Sequence, residues 1–159
     1  MLTDLYRRWL FEVWGAGDFA VADELLAEDL VDHNRAPGQP AGRAGDLWAA
    51  RAVRTAFPDL RFTLDVAFDS GDLVTGRWTM HGTHTGPLDT LGLPPTGRPV
   101  VLTGQEIFRA AGGRFVEVWH QEDLPGLLGC LGLQPPARLL RLAARRSARR
   151  HRKELRAGA

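Results

Sequence analysis

The chain has 159 residues, a mass of 17.5 kDa and a net charge of +1, with 44% hydrophobic and 25% charged residues. One domain of this length buries roughly two thirds of its unfolded surface without disulfides or metal, which excludes wholesale disorder. No uncharged apolar run is long enough for a membrane helix, charges interrupt the first twelve residues, and Cys130 stands alone, so a reduced, cytoplasmic protein is expected.

Leu2, Leu5, Tyr6, Trp9, Leu10 and Val13 recur at helical spacing, and Gly15 and Gly17 can end that helix. Asp18 can cap a second helix through Phe19, Val21, Leu25 and Leu26. The chain then passes through Leu30-Val31-Asp32-His33-Asn34 into a loop rich in Pro and Gly. A third helix is expected from Gly45 to Phe57, ended by Pro58-Asp59. After residue 60 the period becomes two. Leu60, Phe62, Leu64, Val66 and Phe68 alternate with more polar residues, as in a half-buried strand. Further strands are read over Leu73–Thr85, Arg98–Arg109 and Arg114–Asp123, and a short helix over Pro125–Leu131. Pro135-Pro136 opens a basic tail. Residues 135–159 carry eight arginines and Lys153 against Glu154, a charge of +8, which leaves −7 on residues 1–134. An acidic body argues against nucleic-acid binding by the fold itself, while the tail could meet an acidic partner. The tail is expected to be helical or disordered, and solvated by default.

Helices followed by a meander of long strands indicate an α+β domain over residues 1–133, with the tail at 134–159. Strand-interior glycines (Gly76, Gly82, Gly104) suggest a strongly curved antiparallel sheet. With the N-terminal helices on its concave face, such a sheet forms a cone enclosing a pocket. Its uncovered convex face, with Val116 and Val118 as outward candidates, suggests a homodimer.

Several segments, in this order, carry a family likeness: Asp32-His33-Asn34, Phe57-Pro58-Asp59, Arg77-Trp-Thr-Met-His-Gly-Thr-His-Thr-Gly86, Gly92-Leu-Pro-Pro-Thr-Gly-Arg98, Gly113-Arg-Phe-Val-Glu-Val-Trp-His-Gln-Glu-Asp123 and Leu127-Leu-Gly-Cys-Leu-Gly132. The chain resembles the SnoaL-like polyketide cyclases, of the nuclear-transport-factor-two-like fold, over about residues 2–133. The resemblance implies cofactor-free and metal-free aldol closure of an aromatic polyketide ester. It also implies a general acid/base at the aspartate of a Glu-x-Trp-x-x-x-Asp pattern, here Glu117, Trp119 and Asp123.

Strand parity puts Asp123 on one face with Phe115, Trp119 and Gln121, where desolvation would raise its pKa. The alternative is a helix cap, since Leu124-Pro125 follows. His33 and His84 are the expected partners of Asp123, orienting substrate or polarising a carbonyl. His81 and His84 fall on opposite strand faces, so no metal site is expected. Trp48, Phe57, Phe62, Trp78, Met80, Phe115 and Trp119 are the candidate lining for a planar aromatic substrate. Glu106, on an apolar stripe with Val100, Leu102 and Phe108, either lines the cavity or pairs with Arg77. Two rival functions remain. One is another enzyme of the same fold, either an epoxide or ester hydrolase using Glu106 or Asp59 with Arg77 beside Asp123, or a hydroxylase-like enzyme. The other is a binding protein that keeps only the fold.

Overall fold

The computed structural model describes the backbone of residues 1–157 and the side chains of residues 1–148. Helix α1 (Leu2–Arg8) continues directly into a π-helical segment, Trp9–Ala16, which ends at Gly17 with φ of 77°. Only glycine adopts that left-handed conformation freely. A single turn, α2 (Ala22–Leu25), leads into strand β1 (Leu26–Asp32), and α3 spans Arg43–Ala56. Then come β2 (Arg61–Ser70), β3 (Leu73–Thr83), β4 (Pro99–Ala111), β5 (Arg114–Glu122), α4 (Leu124–Cys130) and α5 (Ala137–Ala157).

Among the described residues the strands form one curved, unclosed sheet in the order β1-β5-β4-β3-β2. The β2–β3–β4–β5 meander is antiparallel, as its alternating pattern predicts. Strand β1 is an addition to the sequence reading, and it runs parallel to β5. Leu26 and Leu30 fit a helical stripe as well as a strand, so a four-residue apolar period could not separate the two. Docking against β5 decides it, because β5 would otherwise be an open edge.

Helix α1 packs on β2 and β3, and α3 lies against β1 and the π-helical segment. The core between the layers includes Tyr6, Leu10, Val13, Leu25, Leu26, Phe108 and Phe115, all 1% exposed or less. Phe108 and Phe115 stack with centroids 4.3 Å apart.

Two β-bulges overturn parts of the parity reading. Asp65 is an extra residue between Leu64 and Val66, so Val66 and Phe68 swing to the outer face, 51% and 62% exposed. In β5, Glu117 pairs with Arg109 and Phe115 with Ala110, leaving Val116 as the extra residue. Phe115 therefore faces the core, and from Val118 onward the inner face carries Val118, His120 and Glu122. Val118 is a cavity residue, not the outward contact expected of it. One inserted residue reverses the facing of every residue beyond it.

Helix α5 exposes Leu139, Leu140 and Leu142. The tail arginines from Arg149 onward lie outside the described side chains. Among the described residues no helix is long and apolar enough to cross a membrane.

Candidate active site

Between the helices and the inner sheet face lies a cavity of about 410 Å³. Trp9, Trp14, Trp48, Phe57, Phe62, Trp78 and Met80 supply its apolar wall. Segments at Asn34–Gln39 and Leu88–Leu91 border it as well. Of the lining expected from sequence, Trp48, Phe57, Phe62, Trp78, Met80 and Glu106 are present. Phe115 and Trp119 are not: Phe115 faces inward but is packed on Phe108 in the core, and beyond the β5 bulge Trp119 falls on the outer face.

The polar side of the cavity is assembled across three strands. His120 opposes Glu106 on β4, and both face inward. Its Nδ1 lies 2.7 Å from Oε1 of Glu122 and its Nε2 lies 3.2 Å from Oδ1 of Asp32. Asp32 shares the inward face of β1 with Leu30, and it also accepts the Asn34 N–H at 2.8 Å and the Gln39 side-chain amide at 2.9 Å. Burial opposes charge on His120, but the hydrogen bonds and charges of the two carboxylates outweigh it and push its pKa up to about 10. His120 is an imidazolium at neutral pH, engaged at both nitrogens.

Glu106 sits in a notch made by glycine. Gly76 lies directly across from Glu106, and a Cβ there would meet the Tyr6 ring at 2.4 Å. Trp78 lies across from Gly104, where a Cβ would meet its indole at 2.3 Å. The two rings lie over bare backbone and so reach the carboxyl. The Tyr6 hydroxyl donates to Glu106 at 2.5 Å and the Trp78 indole N–H at 2.7 Å. Burial raises the Glu106 pKa to about 7, although these donors pull it down. Arg77, the alternative partner considered from sequence, faces outward and pairs with Asp65.

A second carboxyl with raised proton affinity comes from helix α3. Asp46 lines the cavity and accepts indole N–H bonds from Trp9 at 3.3 Å and from Trp14 at 3.4 Å. The π-helical backbone makes this possible: its i→i+5 bonding brings residues five apart onto one face. Trp9 and Trp14 accordingly lie side by side, ring centroids 5.7 Å apart. Burial raises the Asp46 pKa to about 7, against the indole bonds and with the help of the Asp32 charge. Sequence reading passed over Asp46. An aspartate in the first turn of a helix looks like a dipole partner, and no pattern announces a π-helix.

The three residues expected to catalyse do not line this cavity. Asp123 is exposed and caps α4, its Oδ1 accepting the Gly126 N–H at 2.9 Å. A Cβ on residue 126 would lie 2.2 Å from that carboxylate, so glycine makes room for the cap. The β5 bulge places Asp123 and Trp119 on the face opposite to His120. His33 faces the same outer side, stacked on Trp119 at 4.7 Å and bonded to Glu117 at 2.8 Å. His84 is fully buried against Phe57, its Nδ1 3.2 Å from the Thr96 hydroxyl, and burial lowers its pKa. Asp59, weighed in the hydrolase reading, holds the Thr83 N–H and hydroxyl at 2.7 and 2.8 Å. Among the described residues no three His, Cys, Asp or Glu side chains converge as metal ligands.

The family model for SnoaL-like polyketide cyclases matches residues 4–129, and the chain belongs to that family. Among solved structures it is similar to TsrD from Streptomyces laurentii, at 30% identity and a TM-score of 0.76, over 84% of this chain and 96% of that one. It is also similar to IdmH, a candidate polyketide cyclase from Streptomyces antibioticus, at 33% identity and a TM-score of 0.69, over 82% and 97% of the two chains. AclR from Streptomyces galilaeus, a candidate hydroxylase, shares the fold at 24% identity and a TM-score of 0.69, over 97% and 98%. No curated protein matches by sequence.

Proposed function

We propose that this protein is a cofactor-free cyclase that closes a ring of an aromatic polyketide by intramolecular aldol condensation. The observation that carries this reading is His120, held at both ring nitrogens between Asp32 and Glu122 in an aromatic-walled cavity, a setting that favours its charged form. An aldol closure removes an acidic C–H proton beside a carbonyl. The enolate carbon then attacks a second carbonyl of the same molecule, forming one C–C bond and an alkoxide that must be protonated. A fixed positive charge stabilises the developing oxyanion most when water is excluded. The His120 Nε2–H, whose contact to Asp32 is the longer of its two, is the donor a substrate oxygen can share.

The indoles and phenyl rings favour a planar, apolar substrate and hold it folded. Positioning of this kind contributes about 7–11 kcal/mol to lowering a barrier, and acid/base catalysis a further factor of roughly a hundred to ten thousand. The test is to incubate the protein with a panel of aromatic polyketide esters and follow products by mass. Aldol closure gives an isomer of the substrate, and His120→Phe should lower its rate by ~100-fold or more. Cleavage of the ester to a lighter acid and an alcohol, or, from an epoxide, a product heavier by one water, would favour the hydrolase reading. Tight binding without any conversion would favour a binding protein.

A further inference from the structure

We infer that Asp46 is the catalytic base that removes the carbon-bound proton. The inference rests on the acid/base reading above and assigns the group that reading leaves open.

Four carboxyl side chains border the cavity, and their hydrogen bonds distinguish them. Asp32 is occupied by the Asn34 N–H, the Gln39 amide and His120. Glu122 is tied to His120 at 2.7 Å. Glu106 is held by Tyr6 and Trp78 at 2.5–2.8 Å and is 4% exposed. Asp46 is half-buried, and its bonds to Trp9 and Trp14 are 3.3 Å or longer. Long, bifurcated indole contacts fix the direction of the carboxylate while leaving lone pairs able to accept a proton.

The surroundings suit a base that works near neutral pH. Asp46 feels the charges of Asp32 from β1 and His120 from β5, and Glu122, Glu106 and Arg35, the last from the loop before α3, border the same cavity, while the π-helical segment offers only the neutral Trp9 and Trp14. Its raised proton affinity matches the geometry: a carboxylate in an apolar wall is a stronger base than one in water. His120 stands across the same cavity as the positive group. Base and oxyanion donor thus come from different layers, helix and sheet, and border one cavity.

A probe separate from any polyketide tests this. In 5-nitrobenzisoxazole a base takes the proton at C3, that electron pair completes a nitrile, and the N–O bond breaks to release a yellow cyanonitrophenolate. The wild-type protein should accelerate this elimination, with a rate that rises through about pH 7. Asp46→Asn should lower it by ~100-fold or more. Trp14→Phe removes one donor to the carboxylate and should move the midpoint to higher pH, an outcome available even if the first variant folds poorly. Quenching of tryptophan fluorescence reports whether the probe is bound. The inference is overturned if the bound probe is eliminated no faster than in buffer, or if Asp46→Asn keeps the wild-type rate and pH profile. Loss transferred to Asp123→Asn would overturn it equally. Elimination through Asp46 with no polyketide ester cyclised would leave the base standing and remove the cyclase reading. Cyclisation at full rate by Asp46→Asn would do the reverse.

Discussion

At the scale of single residues, His120 and Asp46 titrate in opposite senses, and each makes a prediction. The folded state raises the His120 pKa from the ordinary 6.5 to about 10. Its stabilising contribution is therefore fully present below about pH 6.5 and is lost as pH rises through 10. Proton NMR of the imidazole should give a midpoint near 10; a midpoint near 6.5 would mean that the Asp32 and Glu122 contacts do not persist in solution. Asp46 is a carboxyl whose folded pKa is raised from 3.8 to about 7. The folded state keeps a proton that the unfolded state has released, so this residue lowers stability as pH climbs from about 4 to 7. Asp46→Asn should accordingly melt higher than wild type at pH 8, with a smaller difference at pH 5. Thermal melts at the two pH values check it. Asp123→Ala should cost about 1 kcal/mol through loss of the α4 cap, and Asp123→Asn much less. Paired urea titrations would measure both.

At the scale of elements, the site depends on three departures from regular geometry. The π-helical turn aligns Trp9 with Trp14. The bulge at Val116 turns His120 and Glu122 into the cavity. The glycines at 76 and 104 leave room for rings. From sequence these glycines suggested only curvature; the rings that fill the space come from α1 and from the neighbouring strand. Gly76→Ala should push a methyl into the Tyr6 ring and lower stability by about 1–3 kcal/mol, with Glu106 losing its 2.5 Å partner. A melting temperature unchanged from wild type would show that Tyr6 can move away without cost. Helices α1 and α3 and the four meander strands were legible because each repeats its period over more than one turn or several pleats, whereas the helix expected from Asp18 shrinks to one turn, Ala22–Leu25, before β1. The bulges and the π-turn were not, since one extra residue leaves composition and local propensity untouched. Asp32-His33-Asn34 shows the consequence. Without β1 the motif offers His33 as its site residue, whereas the strand turns Asp32 inward.

At the scale of the whole molecule, charge and surface pattern divide body from tail. We propose that the outer sheet face, with Val66, Phe68 and Ile107 exposed, is where a second copy packs. Phe68→Glu should then shift sedimentation from dimer toward monomer at micromolar concentration; an unchanged profile would remove that face from consideration. We propose further that the tail is dispensable for the fold. Deleting residues 135–159 removes a charge of +8, and any association with an acidic partner should vanish with it. Where present, that association should weaken steeply with salt. Loss of cooperative melting on truncation would make α5 part of the domain.

Periodicity and motif order in the sequence were by themselves enough to determine the α+β class, the antiparallel meander, the family likeness and most of the aromatic wall. These features follow from hydrophobic spacing, which depends on residues near one another in the chain. Only the tertiary structure decided which acids and histidines meet. Asp32, Asp46, Glu106, His120 and Glu122 come from four separate elements. Their convergence depends on strand register, one bulge and one π-turn. A single residue of register decides whether a side chain faces the cavity or the solvent.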